Sequence, residues 1–442
     1  MAKTVDYRDP YLAAFRAFEA SLNGRSASEI HRLRRGAMDA FVQTGFPTSR
    51  DEAWRHTRVA PLLETSFAPV PSDGRRGVTA EQIAPFRFDS LGGAQLVFVD
   101  GFYSPELSSH PDLPDGAQAG NLASILDTSP ERVSGELARY AAYKTHAFAA
   151  LNTAFFRDGA FVFVPRGVAV EAPIYLLFIS TAKDKATVSH PRVLVLAEDG
   201  SQVTLVETYA GIGHGAYLTN AVTEIAAGDN AVVDHYKLEL ETPEAFHIGV
   251  MQMTQGRASN VSSHAISLGG RLVRNEARAR LAGEGCESTV NGLYLLGDNQ
   301  HVDNHTLLEH AEPNCSSHER YKGILTDASQ AVFRGKIHVH PKAQKTDAYQ
   351  SNQNLLLSEG ARINTKPQLE IYADDVRCSH GATVGQIDED ALFYLRARGI
   401  GAKRARQVLL QAFASDILDR VKVEPVRQAL VRRVNAKFAP ST

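Results

Sequence analysis

The sequence predicts a mainly β protein: a parallel β-helix core between an N-terminal and a C-terminal helical domain. Three observations predict it. Apolar residues recur at helical spacing near both ends of the chain but not in its middle. The middle is a series of short β-rich runs, each broken by a turn residue. Those runs repeat at a spacing that suits a solenoid.

Taken in order, Tyr11, Leu12, Phe15, Phe18 and Leu22 mark a first amphipathic helix. Ser26 followed by Glu29 reads as a capping box for a second helix through Ile30, Leu33, Ala37 and Phe41, which Gly45 ends. Ser49 and Glu52 make a second such box at the head of SRDEAWRHTRVAPL, which carries the only tryptophan, Trp54. A long helix is expected from Glu131 to about Phe156. Residues 1–158 are thus read as an N-terminal, mostly helical domain.

From residue 159 the texture changes. PRGVAVEAPIYLL, EDGSQVTLVETY, AGDNAVVDHYKLEL and TQGRASNVSSHAIS are followed by GEGCESTVNGLYLL, TDASQAVFRGKIHV and SEGARINTKPQLEI. Their turn positions are Gly167, Gly200, Gly228, Gly256, Gly285, Ala328 and Gly360, and the middle three steps are roughly 28 residues each. Strand residues with a turn and no intervening helix favour a β-helix over a leucine-rich or ankyrin array. An irregular β-sandwich is the less favoured alternative. Residues 159–387 form this core.

Residues 388–442 return to helix. DEDALFYLRARGIG ends in glycines, and Val408, Leu409, Ala412, Phe413, Ile417 and Leu418 form an apolar stripe. Pro425 suits the first turn of a last helix through Leu430 and Val434. Residues 401–442 carry a net charge of +6. That basic tail raises a nucleic-acid rival, but the apolar stripe fits a protein-docking helix with solvated basic residues.

Composition narrows the classes. The chain has 442 residues, 43% of them hydrophobic, enough for two or three domains with a large core. A net charge of −3 supplies no whole-protein field toward nucleic acid or lipid. Three scattered cysteines with no CxxC make no disulfide framework and fit a reducing cytosol. The stretch MAKTVDYRDPYLAAF has no apolar h-region, and no run of 18 apolar residues occurs, so a cytoplasmic protein is expected. There is no GxxxxGK[ST], GxSxG, HExxH or EF-hand loop. The GxGxG of Gly211, Gly213 and Gly215 precedes no helix and reads as a loop.

Histidines cluster late: His301, His305, His310, His318, His338, His340 and His380. HVDNH and HVH would put imidazoles on one face of a strand, as a metal site needs. Each alone is better read as a stacked histidine satisfied by hydrogen bonds. Cys378 and His380, in RCSHGAT, stand apart. On a strand they share a face, which pairs a soft with a borderline ligand suited to iron–sulfur or zinc. Two ligands do not close a site, so the others must come from elsewhere in the chain or from a second protein. Cys286 and Cys315 are readable as buried fillers.

Residues 341–400, PKAQKTDAYQSNQNLLLSEGARINTKPQLEIYADDVRCSHGATVGQIDEDALFYLRARGI, closely resemble the core signature of the SufB/SufD family of iron–sulfur cluster assembly proteins. The CSHGATVG form and the ALFYLRARGI tail are most similar to the SufD type, as is SRDEAWRHTRVAPL. The resemblance implies a right-handed parallel β-helix flanked by helical domains. It implies a non-catalytic scaffold subunit of the cytosolic SUF machinery, paired with SufB through the β-helix. Each of the two would bind one copy of the ATPase SufC through C-terminal helices, giving a SufB–SufC2–SufD complex. A transient cluster would form at the interface with SufB. His380 carries over as an interface ligand, Cys378 less firmly, and Leu409, Phe413 and Ile417 are the candidate SufC-docking residues. Reduced flavin is associated with the family complex, though no motif here supports a flavin site, and a homodimer of the isolated chain is compatible with the resemblance. The rival readings are a SufB-type subunit, for which more cysteines would be expected, and a secreted-type carbohydrate-active β-helix enzyme, which should show paired carboxylates in a groove.

Overall fold

In the computed structural model, which describes residues 7–22, 28–70, 77–88, 91–114 and 116–438, strand after strand runs parallel to the strand one turn before it. Two sheets result. One runs from Gly159–Val164 through Arg192–Ala197, Tyr217–Ala227, Ala245–Gln255, Leu272–Leu281, His301–His310 and Gln330–Val339 to Arg362–Ile371. The other runs from Gln95–Val99 through Ile174–Ser180, Gln202–Gly211, Val232–Leu240, Asn260–Ser267, Glu287–Leu296, Ser316–Leu325 and Asp347–Leu356 to Arg377–Gly385. The chain crosses between them at each turn, which makes a parallel β-solenoid of about eight coils. In the second sheet Gln202, Val232, Asn260, Glu287, Ser316, Asp347 and Arg377 stand in register, 27–31 residues apart. A parallel pairing of residues so distant in sequence needs a connection of this length in each coil.

The turns hold glycine for two different reasons. Gly167, Gly200 and Gly285 have positive φ of 66–73°, which a side chain resists. Gly256 does not; there Ala258 takes the left-handed position at 55°. Gly256 is needed because a Cβ would lie within 2.9 Å of the preceding coil at Gly228 and Asp229.

Alternation sorts each strand into an inner and an outer row. The inner rows form one continuous apolar core, from Leu96 and Val162 to Phe333 and Ala348. Polar groups interrupt it, and several of them pair with one another. Lys237 Nζ lies 3.0 Å from Glu239 and donates to Asn275 Oδ1 at 2.7 Å, while His235 Nε2 meets Glu207 at 3.0 Å. A buried charge without such partners costs several kcal/mol, roughly.

Helices cover the outer rows. Helices α1 (Asp9–Ala20), α2 (Glu29–Thr44) and α3 (Ala147–Phe155) pack together through Phe15, Phe18, Phe41 and Leu151. Phe148 of α3 and Trp54 join them to Leu218, Phe246 and Ile248 on the first sheet. Helices α4 (Glu389–Ala397), α5 (Ala402–Leu418) and α6 (Glu424–Lys437) follow the last strand. Of these, α5 and α6 lay Leu410, Ala414, Ile417, Leu430 and Val434 over Tyr236, Leu238, Leu293 and Ile324 of the second sheet.

Three local expectations are corrected. The helix expected over Glu131–Phe156 is α-helical only at Ala147–Phe155, with a single 3-10 turn at Pro130–Arg132. Glu224, ion-paired to Arg192 inside the protein, accepts the backbone N–H groups of Ala138, Tyr140 and Ala141, and Ala138 adopts a φ of 60°. Those donors are therefore withdrawn from any helix ladder. The box at Ser49 and Glu52 opens only a 3-10 turn, Glu52–Trp54. Glu52 reaches instead across the first sheet to Arg334 and Lys366, at 2.5 and 2.9 Å. The second helix is capped by Ser28, whose side chain accepts from the His31 amide; Ser26 lies outside the described residues.

Candidate functional site

Cys378 and His380 sit on Arg377–Gly385, the last strand of the second sheet. It pairs with Asp347–Leu356 on one side, with Ala348 opposite Cys378 and Gln350 opposite His380. On its other side no strand pairs with it among the described residues. Cys378 packs against the inner core, so His380, two residues on, shares the inner row. That row runs in register from His235 through Ser263, Val290, Glu319 and Gln350 to His380. Gln350 and Glu319 are fully buried, whereas His380 is exposed, because no further coil covers it. An inner position becomes a surface position at the open end.

Beneath His380 the row is hydrogen-bonded. Gln350 Nε2 donates to Glu319 Oε2 at 2.7 Å, and Thr306 Oγ1 donates to Glu319 Oε1 at 2.5 Å. Burial pushes the Glu319 carboxyl up to about 7 despite those two bonds. Gln350 Oε1 is buried and has no protein partner. The Cys378 thiol is pushed up as well, first by burial and then by Asp347, so it stands as a thiol rather than a thiolate.

Cys286 and Cys315 are not part of this site. They stack on successive coils at one corner, three and two coils below Val376, and are buried at 0% and 1% exposure. Their thiols donate to backbone carbonyls, Cys286 to Gly256 and Gly283 at 2.9 and 3.0 Å and Cys315 to Gly283 and Pro313 at 3.3 and 3.4 Å. The other late histidines mostly have partners. His301 meets Thr57 at 2.9 Å, His305 meets Asp303 at 2.9 Å, and His310 meets Ser317 at 2.8 Å. His338 and His340 of HVH are engaged by Glu370 at 3.2 Å and Glu309 at 2.8 Å. Among the described residues no group of three or more His, Cys, Asp or Glu side chains is arranged to hold a metal ion.

The C-terminal stripe faces inward. Ile417 is fully buried against the solenoid, and Leu409 and Phe413 are half-buried beside it. Lys322 lies 4.4 Å from the centre of the Phe413 ring and donates to its carbonyl oxygen at 3.3 Å. The large apolar groups that α4 presents to solvent are Phe393 and Tyr394, at 72% and 57% exposure. Sequence reasoning missed these two, since the periodicity of nine residues does not say which face a sheet will cover. It also missed Gln350 and Glu319, although the coil spacing places Gln350 one turn before His380.

The fold is a parallel β-solenoid braced by terminal helices, with a Cys-X-His strand on its uncovered last coil. The chain belongs to the SufBD family of the SUF system for iron–sulfur cluster assembly: the family's core-domain model matches residues 178–413 and its N-terminal-region model residues 5–176. An iron–sulfur cluster assembly SufBD family protein of Synechocystis is 33% identical over 95% of this chain and 93% of its own. The iron–sulfur cluster assembly protein SufD of Escherichia coli is 32% identical over 95% of both chains. A chloroplastic protein of Arabidopsis thaliana is 30% identical over 95% of this chain and 89% of its own.

Proposed function

We propose that this chain is a SufD-type scaffold subunit that pairs with a SufB-type partner end to end through its last coil, and that a nascent iron–sulfur cluster is held at that junction as cargo. The observation that carries the reading is the uncovered strand Arg377–Gly385, with an exposed imidazole on its inner row. An unpaired strand edge offers a row of N–H and C=O groups to a second sheet. A neutral imidazole nitrogen at that seam is a competent iron ligand, and the partner would supply the remaining ligands. Cys378 is the secondary candidate, since its thiol must first lose a raised-pKa proton.

SufC docking is proposed on the C-terminal helices. Leu409, Phe413 and Ile417 would serve it by fixing α5 on the solenoid, and Phe393 and Tyr394 would supply the exposed apolar contact. The chain itself is read as non-catalytic, with the work of ATP done by SufC. Residues 159–387 are proposed as the β-helix core domain, which the strand Gln95–Val99 extends, and a cytoplasmic location is proposed from the cysteine usage; no described helix is long and apolar enough to cross a membrane. The test is co-expression with SufB and SufC partners, followed by purification and anaerobic reconstitution. A stable three-protein complex that develops iron–sulfur absorbance is expected. A chain that captures neither partner overturns the reading.

A further inference from the structure

Away from the open end, α1, the segment Leu63–Val70, the loop Asp100–Phe102 and residues Val188–His190 line a half-open cavity of about 500 Å³. Its wall is apolar and largely aromatic, built from Tyr11, Phe18, Phe67, Val70, Phe102 and Phe155. Its size is that of a small-molecule site. Among the described residues one guanidinium lines it. The Arg157 guanidinium lies 5.1 Å from the centre of the Phe18 ring and 6.0 Å from that of Phe102.

Arg157 forms no ion pair with a carboxylate among the described residues, nor does Arg34, which is 5.3 Å from the centre of the same Phe18 ring. Arg34 is 8% exposed, its Nη2 donates to the Phe156 carbonyl at 3.0 Å, and its Nε is buried without a partner. Burial lowers the pKa of both guanidiniums, and Arg157 adds to the effect on Arg34. His190, also on the lining, stacks on Phe155 and stays neutral because of burial and the Arg157 charge. The acidic group on the lining, Asp100, is bonded by the Thr181 amide and hydroxyl at 2.9 and 2.6 Å. Two guanidiniums around one phenyl ring without a carboxylate carry a standing desolvation cost, which a bound anion would relieve.

We propose that this cavity binds an alkyl carboxylate, its chain against the aromatic wall and its carboxylate on the Arg157 guanidinium. A single guanidinium presents a planar fork that matches a carboxylate by two parallel hydrogen bonds. Among the described lining residues no second guanidinium or ammonium is present to take a further negative charge.

The experiment titrates the full chain with decanoate, decanol and decylamine, below their micellar concentrations, against a bound fluorescent fatty-acid probe. Decanoate should displace the probe at least tenfold more effectively than decanol, and decylamine should be the weakest. Arg157→Gln should erase the preference for the acid over the alcohol. Ala14→Trp, on the cavity lining, should abolish displacement by both, with thermal melts reporting the fold of each variant. Decanoate no better than decanol, an acid preference that survives Arg157→Gln, or binding unaffected by Ala14→Trp overturns the proposal. If Arg157→Gln does not fold, the acid-to-alcohol ratio of the unaltered chain together with Ala14→Trp decides it.

Discussion

His380 lies in register directly over Gln350, whose amide donates to Glu319 one coil further down. The exposed imidazole is thus the last member of a buried polar row rather than an isolated surface group. His380→Ala removes a nitrogen from solvent and opens no cavity, so the melting temperature should move by less than about 2 °C, as for a surface substitution. The complex with SufB- and SufC-type partners should still form, and its reconstituted cluster absorbance should fall severalfold. Full cluster yield in the variant would sink the ligand role. Cys378→Ala should lower the yield no more than His380→Ala does.

Glu319 makes stability fall as pH rises. Its carboxyl is pushed up to about 7 in the folded protein by burial, against about 4.3 in an unfolded chain. Between those values the folded state holds a proton that the unfolded state has lost, so the stabilisation present below about pH 4.3 disappears as pH climbs through about 7. Glu319→Gln keeps the shape and removes the titration. Relative to the original chain it should be near neutral at pH 5 and stabilising at pH 8, on the order of 1–3 kcal/mol. Denaturant unfolding at four pH values checks this; parallel profiles for the two proteins would refute it.

Trp54 is expected to hold the N-terminal segment on the solenoid. Its indole stacks on Phe148 and lies under the Arg274 guanidinium, 3.8 Å from the ring centre. Arg274 in turn is buried between Glu276 and Asp303, and Asp303 accepts from Thr57 at 2.5 Å. Trp54→Ala should cost about 3 kcal/mol and leave Arg274 partly uncovered. Limited proteolysis should then cut between Thr48 and Leu63 well before it cuts the core; unchanged cleavage would show that the segment is held by other contacts.

The three thiols should separate by accessibility. Cys378 is half-buried on the last coil, while Cys286 and Cys315 lie at the closed corner. A thiol reagent applied to the native chain should modify one cysteine at a slow but measurable rate and the other two only after unfolding. Fast modification of two or more would mean that the corner opens in the native state. Cys315→Ala should cost about 1 kcal/mol in packing and leave cluster yield unchanged.

Phe413→Ala tests how the C-terminal helices are used. Because Phe413 is half-buried under Lys322 and beside Ile417, the variant should lower the stability of α5 on the sheet by about 2 kcal/mol. Phe393→Ala, 72% exposed, should leave melting unchanged and weaken SufC capture. Equal capture by both variants, with unchanged melting, would move the docking surface elsewhere.

By itself the sequence determined the architecture. The coil spacing, the turn residues and the apolar stripes at both ends are local patterns, and they specify a solenoid between helices because each coil buries its face only on a neighbour like itself. It also determined that Cys378 and His380 share one strand face, since alternation is a property of two residues' spacing alone. The tertiary structure decided the rest. That the shared face points inward, and is yet exposed, follows from the strand's being last in the stack, which no window of nine residues contains. That Glu224 draws the amides of Ala138, Tyr140 and Ala141 out of an expected helix depends on a carboxylate more than 80 residues away. Ile417 is covered because a sheet outside its own sequence neighbourhood needed an apolar lid. The aromatic cavity around Arg157 joins α1 to turns nearly the length of a domain away in sequence, and only packing brings them together.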